Sequence, residues 1–364
     1  MLFVAFVTAI AFANASPFNP HIFPGRGSFF EGWYWRHIDH VNNRSVAVIM
    51  GSLGEGEFTQ SWAAMLYNDN GKVETEQIFP GNASVGLGPS RILPVSRDPG
   101  LVLPADFRYK SQAGFFDVVD DKAELEMQFP SWKFKGQVTG RRVPWSEKKP
   151  NGDGPESYLA HLQALLPCHY FVHSLASEAT YTLESSVGKK DKQGKGFVHL
   201  ETNYGQAFPS AWAWGEGVSF DGETQFVFTA GKFTIGGINA ANFAFAFRSP
   251  ERNLTFRSPD LNQFAMNDQA CKGVLRLEAY DIMHKVVLDL SAEISTFSQP
   301  LYFPTHSGFS NHPGCVESFS AHGVVSVYGP LGNLLQKNHF PLSALEFGGK
   351  YMCGRKLDEL TEIV

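Results

Sequence analysis

The chain has little charge and no excess of positive charge. Only 18% of its 364 residues are charged, and 30 Lys and Arg stand against 36 Asp and Glu, for a formal net charge of −6. That leaves no electrostatic footprint for nucleic acid as a partner. The longest basic run, Lys189-Lys190-Asp191-Lys192, is broken by an acid and reads as a solvated turn. The signatures of several large enzyme classes are missing. There is no G-x-S-x-G, no H-E-x-x-H, no Walker loop and no G-x-G-x-x-G opening a helix. "GSLGEGEF" (51–58) is glycine-rich but carries no Lys and precedes no helix. Helical periodicity is scarce: "ESYLAHLQALL" (156–166) is the best candidate and "PLSALEF" (341–347) a weaker one.

Cysteine is also scarce. Cys168, Cys271, Cys315 and Cys353 are the four present, and their spacing is not that of a zinc site. In an oxidising compartment one or two disulfides are expected, with a pair among the three C-terminal cysteines favoured. The alternative is four buried free thiols. Long apolar runs are confined to the N-terminus. Residues 2–15, "LFVAFVTAIAFANA", end in Ala13-Asn14-Ala15, a short apolar region with an A-x-A-like cleavage site before Ser16. A span of about 14 residues falls short of the ~20 that cross a bilayer. No basic segment precedes it, so an uncleaved apolar terminus is the other reading. Residues 1–15 are therefore expected to be a signal peptide leading to the secretory pathway or the exterior. A plastid reached through a signal-peptide route comes second, because "FANASPF" has hardly any Ser/Arg-rich transit sequence after it. Asn43-Arg44-Ser45, Asn82-Ala83-Ser84 and Asn253-Leu254-Thr255 are acceptor triplets for N-glycosylation in such a compartment.

What the chain does have is aromatic residues, 14% of the total with 32 Phe. Strand signals dominate. "SVAVIMGSL" (45–53), "FTQSWAAMLYN" (58–68), "KVETEQIF" (72–79), "FFDVVDDKAELEMQF" (115–129) and "WKFKGQVTGRRVPW" (132–145) are rich in β-branched and aromatic residues, with turns such as Asp69-Asn70-Gly71 between them. In "FAFAFR", Phe243, Phe245 and Phe247 share one strand face. "SEKKPNGDGPES" (146–157) has nothing to bury and reads as a linker or long loop. Many short strands mean a sandwich or barrel, so an all-β protein is expected. The expected divisions are 1–15, 16–150 and 151–364, the latter two each a β-barrel-like domain.

Three stretches carry candidate chemistry. As a strand, "FEGWYWR" places Glu31, Trp33 and Trp35 on one face and Gly32, Tyr34 and Arg36 on the other. A buried carboxylate without a partner is costly and takes up a proton instead. Glu31 is then paired, exposed at a strand end, or held by an apolar pocket as a proton donor. "ETNYGQAFPSAWAWGE" (201–216) repeats the mixture with Glu201, Asn203, Tyr204, Trp212 and Trp214, as though one pocket were lined from two sides. Indole and phenol rings hold flat or prenyl-like ligands and stabilise developing positive charge. In "LLPCHYFVHS" (165–174), His169 and His173 share a face whether the run is helix or strand. No third ligand follows at a fixed spacing, so His173 reads as lining a pocket and not as part of a metal site.

In this order, the stretches resemble the tocopherol cyclase family. "FFEGWYWR" is similar to that family's opening "FFEGWYFR" block, "LPCHYFVHS" occupies the place of its proline block, and "ETNYGQAFPSAWAWGE" resembles "EKNWGxxFPxxWxW". "FTAGKF" resembles "LTAG", and "LEFGGKYMCG" a closing "VEIGGxxW". The resemblance runs from about residue 25 to 355, with Thr202 and Tyr204 standing where the family block has Lys and Trp. It implies two lipocalin-like β-barrels or half-barrels enclosing an apolar pocket. The implied chemistry is acid-initiated cyclisation of a prenylated hydroquinone or related isoprenoid, with no redox cofactor or metal. Glu31 or Glu201 would donate the proton, since alkene protonation needs a carboxylic acid kept neutral by apolar surroundings. Trp33, Tyr34, Trp212 and Trp214 would shelter the cation, Asn203 or Tyr204 would hold the phenol, and Arg36 would orient a carboxylate. The expected partner is a hydrophobic small molecule, an isoprenoid or lipid, with peripheral association at a membrane surface as a corollary. The alternative is a secreted lipocalin-like carrier without catalysis. A buried carboxyl facing the cavity favours the enzyme, and outward salt bridges from both glutamates favour the carrier.

Overall fold

The computed structural model describes residues 29–54, 60–87, 107–119, 122–148, 153–161, 166–235, 238–258, 260 and 262–354. Residues 1–15, expected to be a signal peptide, lie outside them. The chain is nearly all β, with one sheet curled into a half-barrel and one into a nearly closed barrel. The first sheet contains β1 (Phe30–Asp39), β2 (Arg44–Leu53), β3 (Gln60–Asp69), β4 (Lys72–Ile78), β5 (Ser84–Leu87), β6 (Phe107–Ser111), β7 (Gly114–Val119), β8 (Lys122–Gln128), β9 (Trp132–Val138), β10 (Cys168–Ser185) and β11 (Lys192–Gly205). Their order across the sheet is β4-β3-β2-β1-β11-β10-β9-β8-β7-β6-β5. The second sheet contains β12 (Ala211–Val218), β13 (Gln225–Ile235), β14 (Ile238–Arg248), β15 (Asn253–Arg257), β16 (Gln263–Gln269), β17 (Val274–Tyr280) and β18 (Lys285–Ser291). After a two-strand hairpin, β19 (Pro304–Thr305) and β20 (Gly308–Phe309), it is completed by β21 (Cys315–Tyr328) and β22 (Leu334–Gly349). Its order is β15-β14-β13-β12-β22-β21-β18-β17-β16.

Local sequence explains many of these elements. Asn70 and Gly71 adopt φ of 54° and 83°, the left-handed pair that joins β3 to β4 in a tight hairpin. Phe245 and Phe247 are fully buried in the second sheet's own core, each contributing on the order of 1.5–3 kcal/mol. Ala244 and Ala246 face the other way, toward the first sheet. Three cores result: one inside each sheet, and one between them built around Tyr34, Trp62, Val172, Trp214 and Phe319.

Several expectations are corrected. The chain passes from the first sheet to the second between Gly205 and Ala211, because β10 and β11 pair with β9 and β1. The helix expected over 156–166 is a 3-10 turn at Ser157–His161, with 162–165 outside the described residues, and "PLSALEF" lies within β22. The stretch 146–157 does bury something: Glu156 is 5% exposed. The Cys271–Cys353 disulfide is the expected C-terminal pair, and Cys168 and Cys315 are buried thiols outside it.

Between β18 and β21 the chain forms a strap that crosses to the edge of the first sheet. Gln77 on β4 donates from Nε2 to the Pro300 carbonyl at 3.0 Å and accepts from the Tyr302 N–H at 3.1 Å. The Gln299 N–H donates to Thr75 Oγ1 at 3.2 Å. This closes one side of the space between the sheets.

Candidate active site

A cavity of about 140 Å³ lies where the two sheets and the strap meet. An apolar cavity of ~150 Å³ takes a benzene ring, so there is room for a ring-sized group. Its walls come from β1, β2, β3, β10 and β11 below, and from β12, β13, β14, β21 and β22 with the strap above.

Strand alternation decides which motif residues meet there. Tyr34, Asn203, Glu201, Trp212 and Trp214 all line the cavity from the inter-sheet side. Tyr34 packs edge-on against Trp214 at 5.2 Å. Glu31 and Trp33 border the cavity from the opposite face of β1, and the Trp33 ring packs into the first sheet's own core on Phe107 and Tyr109. Glu31 is 1% exposed. Three expected residues do not line the cavity. Arg36 is buried beneath it, donating to Glu216 and to the Leu342 carbonyl with its guanidinium 4.8 Å from the Phe319 ring. It therefore pins β1 to β12, β21 and β22, and the carboxylate it meets is that of Glu216. Tyr204, directly across from Glu31, stacks on His169 at 5.0 Å on the far face of β11. His173 lies on β10 beside Phe171, outside the cavity. His169 pairs with Glu156 at 2.7 Å, and among the described residues no group of three or more His, Cys, Asp or Glu is placed to hold a metal.

A connected set of polar groups crosses the cavity wall. Trp214 Nε1–H donates to the Tyr170 hydroxyl at 3.1 Å, and that hydroxyl donates to Glu201 Oε2 at 2.7 Å. His199 Nε2 contacts the same Glu201 oxygen at 2.9 Å, while its Nδ1–H donates to the Leu175 carbonyl at 3.2 Å. Burial disfavours charge on His199, but the bond to Glu201 and the neighbouring Glu216 outweigh it and raise its proton affinity above the ordinary value.

The residues that sequence reasoning missed are on β21 and β22. Glu346 lines the cavity, and its Oε1 accepts hydrogen bonds from Trp212 Nε1–H and from the Cys315 thiol, the latter at 3.1 Å. Burial raises its pKa to about 7 against the opposing effect of those two donors. Glu317 is its direct cross-strand neighbour and accepts from the Tyr34 hydroxyl at 2.5 Å. Burial, then the neighbouring Glu346, push Glu317 well above the carboxylate range. The signal for Glu346 was its place in "LEFGG". Gly348 makes that geometry: a Cβ there would sit 2.0 Å from the Trp212 indole, so only glycine lets the ring lie over the backbone and reach Glu346.

The tocopherol cyclase-like family model matches residues 27–349. A comparison with curated proteins finds no match. Among solved structures, an ATTH-like protein of Nitrosomonas europaea is 11% identical, with 95% of this chain and 99% of that one covered at a TM-score of 0.46. Kievitone hydratase from Nectria haematococca is 10% identical, with 89% of each chain covered at a TM-score of 0.44. With the match spanning most of its length, the chain belongs to the tocopherol cyclase-like family.

Proposed function

We propose that the protein cyclises a prenylated hydroquinone or a related isoprenoid by proton transfer. The observation that carries this reading is Glu346, a carboxyl at the wall of an aromatic cavity with a pKa of about 7. A large share of it is the neutral acid at neutral pH, as alkene protonation requires. Its Oε1 is occupied by two donors, so the transferable proton sits on Oε2.

The step balances without a co-reactant. Glu346 adds its proton to the less substituted carbon of a trisubstituted double bond, leaving a tertiary cation. The faces of Trp212, Trp214 and Tyr34 shelter that cation. The phenolic oxygen closes the ring onto the cation, and Glu201, held by His199 and Tyr170, accepts the phenolic proton. The product is an isomer of the substrate.

A carrier has no need of an acid and a base across one cavity, which is why the enzyme is favoured. The test is turnover of a prenylated hydroquinone to its chromanol, followed by chromatography and mass spectrometry. Glu346→Gln and Glu201→Gln are each expected to lower kcat by about 10² or more. Unchanged turnover in both variants refutes the assignment. Loss in Glu31→Gln with retention in Glu346→Gln would move the acid to the opposite face of β1. Binding without turnover in the unmodified protein would make it a carrier.

A further inference from the structure

A row of residues crosses the cavity floor at right angles to the strands. In register they are Trp62 on β3, Gly51 on β2, Gly32 on β1, Asn203 on β11 and Tyr170 on β10. All of them line the cavity. Neighbouring strands lie ~4.8 Å apart, so the row spans roughly 19 Å. Its two central-left positions carry no side chain, which leaves a furrow two strands wide. The Phe309 ring roofs it: a Cβ at Gly51 would have ordinary contacts, with the Glu31 carbonyl oxygen at 3.8 Å and the Phe309 ring at 4.0 Å, whereas one at Gly32 would lie 3.3 Å from the Met50 carbonyl oxygen.

The two ends of the furrow differ in chemistry. At one end stand the Asn203 amide and the Tyr170 hydroxyl, the latter bonded to Glu201. At the other stands Trp62, covered by the Phe309 ring of the strap at 6.0 Å. The Trp62 Nε1–H is buried there and has no partner among the described residues. Polar groups confined to one end of an apolar cleft fix the direction in which an amphiphile binds.

We infer that the ligand lies lengthwise across the strands, with a hydroxylated ring at Asn203 and Tyr170 and an apolar chain running over Gly32 and Gly51 to Trp62, so that Gly51 limits the length of chain accepted. The ligand class rests on the function proposed above; the orientation and the length limit rest on the row itself. Chain length is then read by the absence of side chains, and a substituent at Gly51 converts a long-chain site into a short-chain one.

The experiment is equilibrium binding, read by quenching of tryptophan fluorescence, and needs no turnover. The probes are hydroquinones bearing no chain, a short prenyl chain or a long polyprenyl chain. Gly51→Leu is expected to bind the chainless and short-chain probes as the unmodified protein does and to lose about tenfold or more in affinity for the long-chain probe. Gly51→Ala, for which the space is already present, is expected to fall between and serves if the leucine variant does not fold. Equal weakening of all probes, or undiminished affinity for the long one, overturns the inference. If the length effect appears but the unmodified protein turns over none of the probes, the proposed reaction falls and the binding orientation stands.

Discussion

Replacing Glu346 by Gln separates two properties that the buried acid links. The amide keeps the carboxyl's shape, and its oxygen can accept from Trp212 and Cys315 as Oε1 does. It has no proton to give and no charge to acquire. Folding raises the Glu346 pKa from 4.5 to about 7. At about 1.4 kcal/mol per tenfold change in proton affinity, that rise corresponds to about 3 kcal/mol. The sign follows from which state binds the proton more tightly. Below the unfolded value both states are protonated and the group contributes its full stability. As pH rises toward the folded value, the unfolded chain has released its proton while the folded one retains it, so stability falls. Above about 7 the loss is complete. The Gln variant avoids this decline. Its stability relative to the unmodified protein should therefore improve by about 3 kcal/mol between about pH 4 and about pH 8. Urea unfolding of both proteins at matched pH measures the difference, in which titrating groups remote from Glu346 cancel, while Glu317, its cross-strand neighbour, shifts with it. A difference that stays flat over this range refutes the buried-acid argument, whatever the variant does to turnover. The expected combination is a protein more stable above neutrality with turnover lowered by about 10² or more, as strained functional groups often produce.

Turnover of the unmodified protein should fall as pH rises through about 7, where the acid form of Glu346 is lost, and a pH–rate profile flat across neutrality would contradict its role. Tyr170→Phe removes the hydroxyl that joins Trp214 to Glu201; kcat should fall by about tenfold to a hundredfold, with a stability loss of about 1–3 kcal/mol from the buried Trp214 Nε1–H left without its acceptor. Gly348→Ala drives a methyl group into the Trp212 indole, so activity and Trp fluorescence should change together, and an unaltered emission spectrum would show that the ring is not fixed there. Arg36→Met leaves Glu216 buried without its cation and should cost about 3–5 kcal/mol in urea unfolding, with partial recovery on adding Glu216→Gln.

The β-strand content and the two faces of β1 were legible because alternation is a local property. Trp33 and Trp35 on one side and Tyr34 and Arg36 on the other follow from a period of two, and the structure keeps that division. The depth of a lone glutamate is not local. Glu346 and Glu317 stand on strands whose sequences look ordinary, and they become buried only because β22 pairs with both β12 and β21. The membership of β10 and β11 in the first sheet was hidden for the same reason. A polar, Pro/Gly-rich stretch marks a loop, but composition cannot say which sheet the next strands will join. Arg36 shows a further limit: a charge inside an aromatic motif looks the same in sequence whether it meets a ligand or, as here, a buried carboxylate.

The echo between the two aromatic motifs has a physical origin that composition alone misread. Similar mixtures of Glu, Trp and Tyr at 30–36 and 201–216 suggested one pocket lined from two sides. The first part of the second stretch lies instead on the strand next to 30–36 in the same wall, with Tyr34 directly across from Glu201 and Gly32 across from Asn203. Neighbouring strands on one sheet face see the same surroundings, so they come to carry similar residues. The opposing wall begins after Gly205, where the chain leaves the first sheet and Trp212 and Trp214 enter the second. Antiparallel pairing also explains why the two motif glutamates do not cooperate. Glu31 lies across from Tyr204, three positions from Glu201, so the carboxyls project from opposite faces. The partner for Glu201 across the cavity therefore has to come from the second sheet, and Glu346, drawn into the inter-sheet core by Gly348 and Trp212, is the carboxyl that meets that requirement.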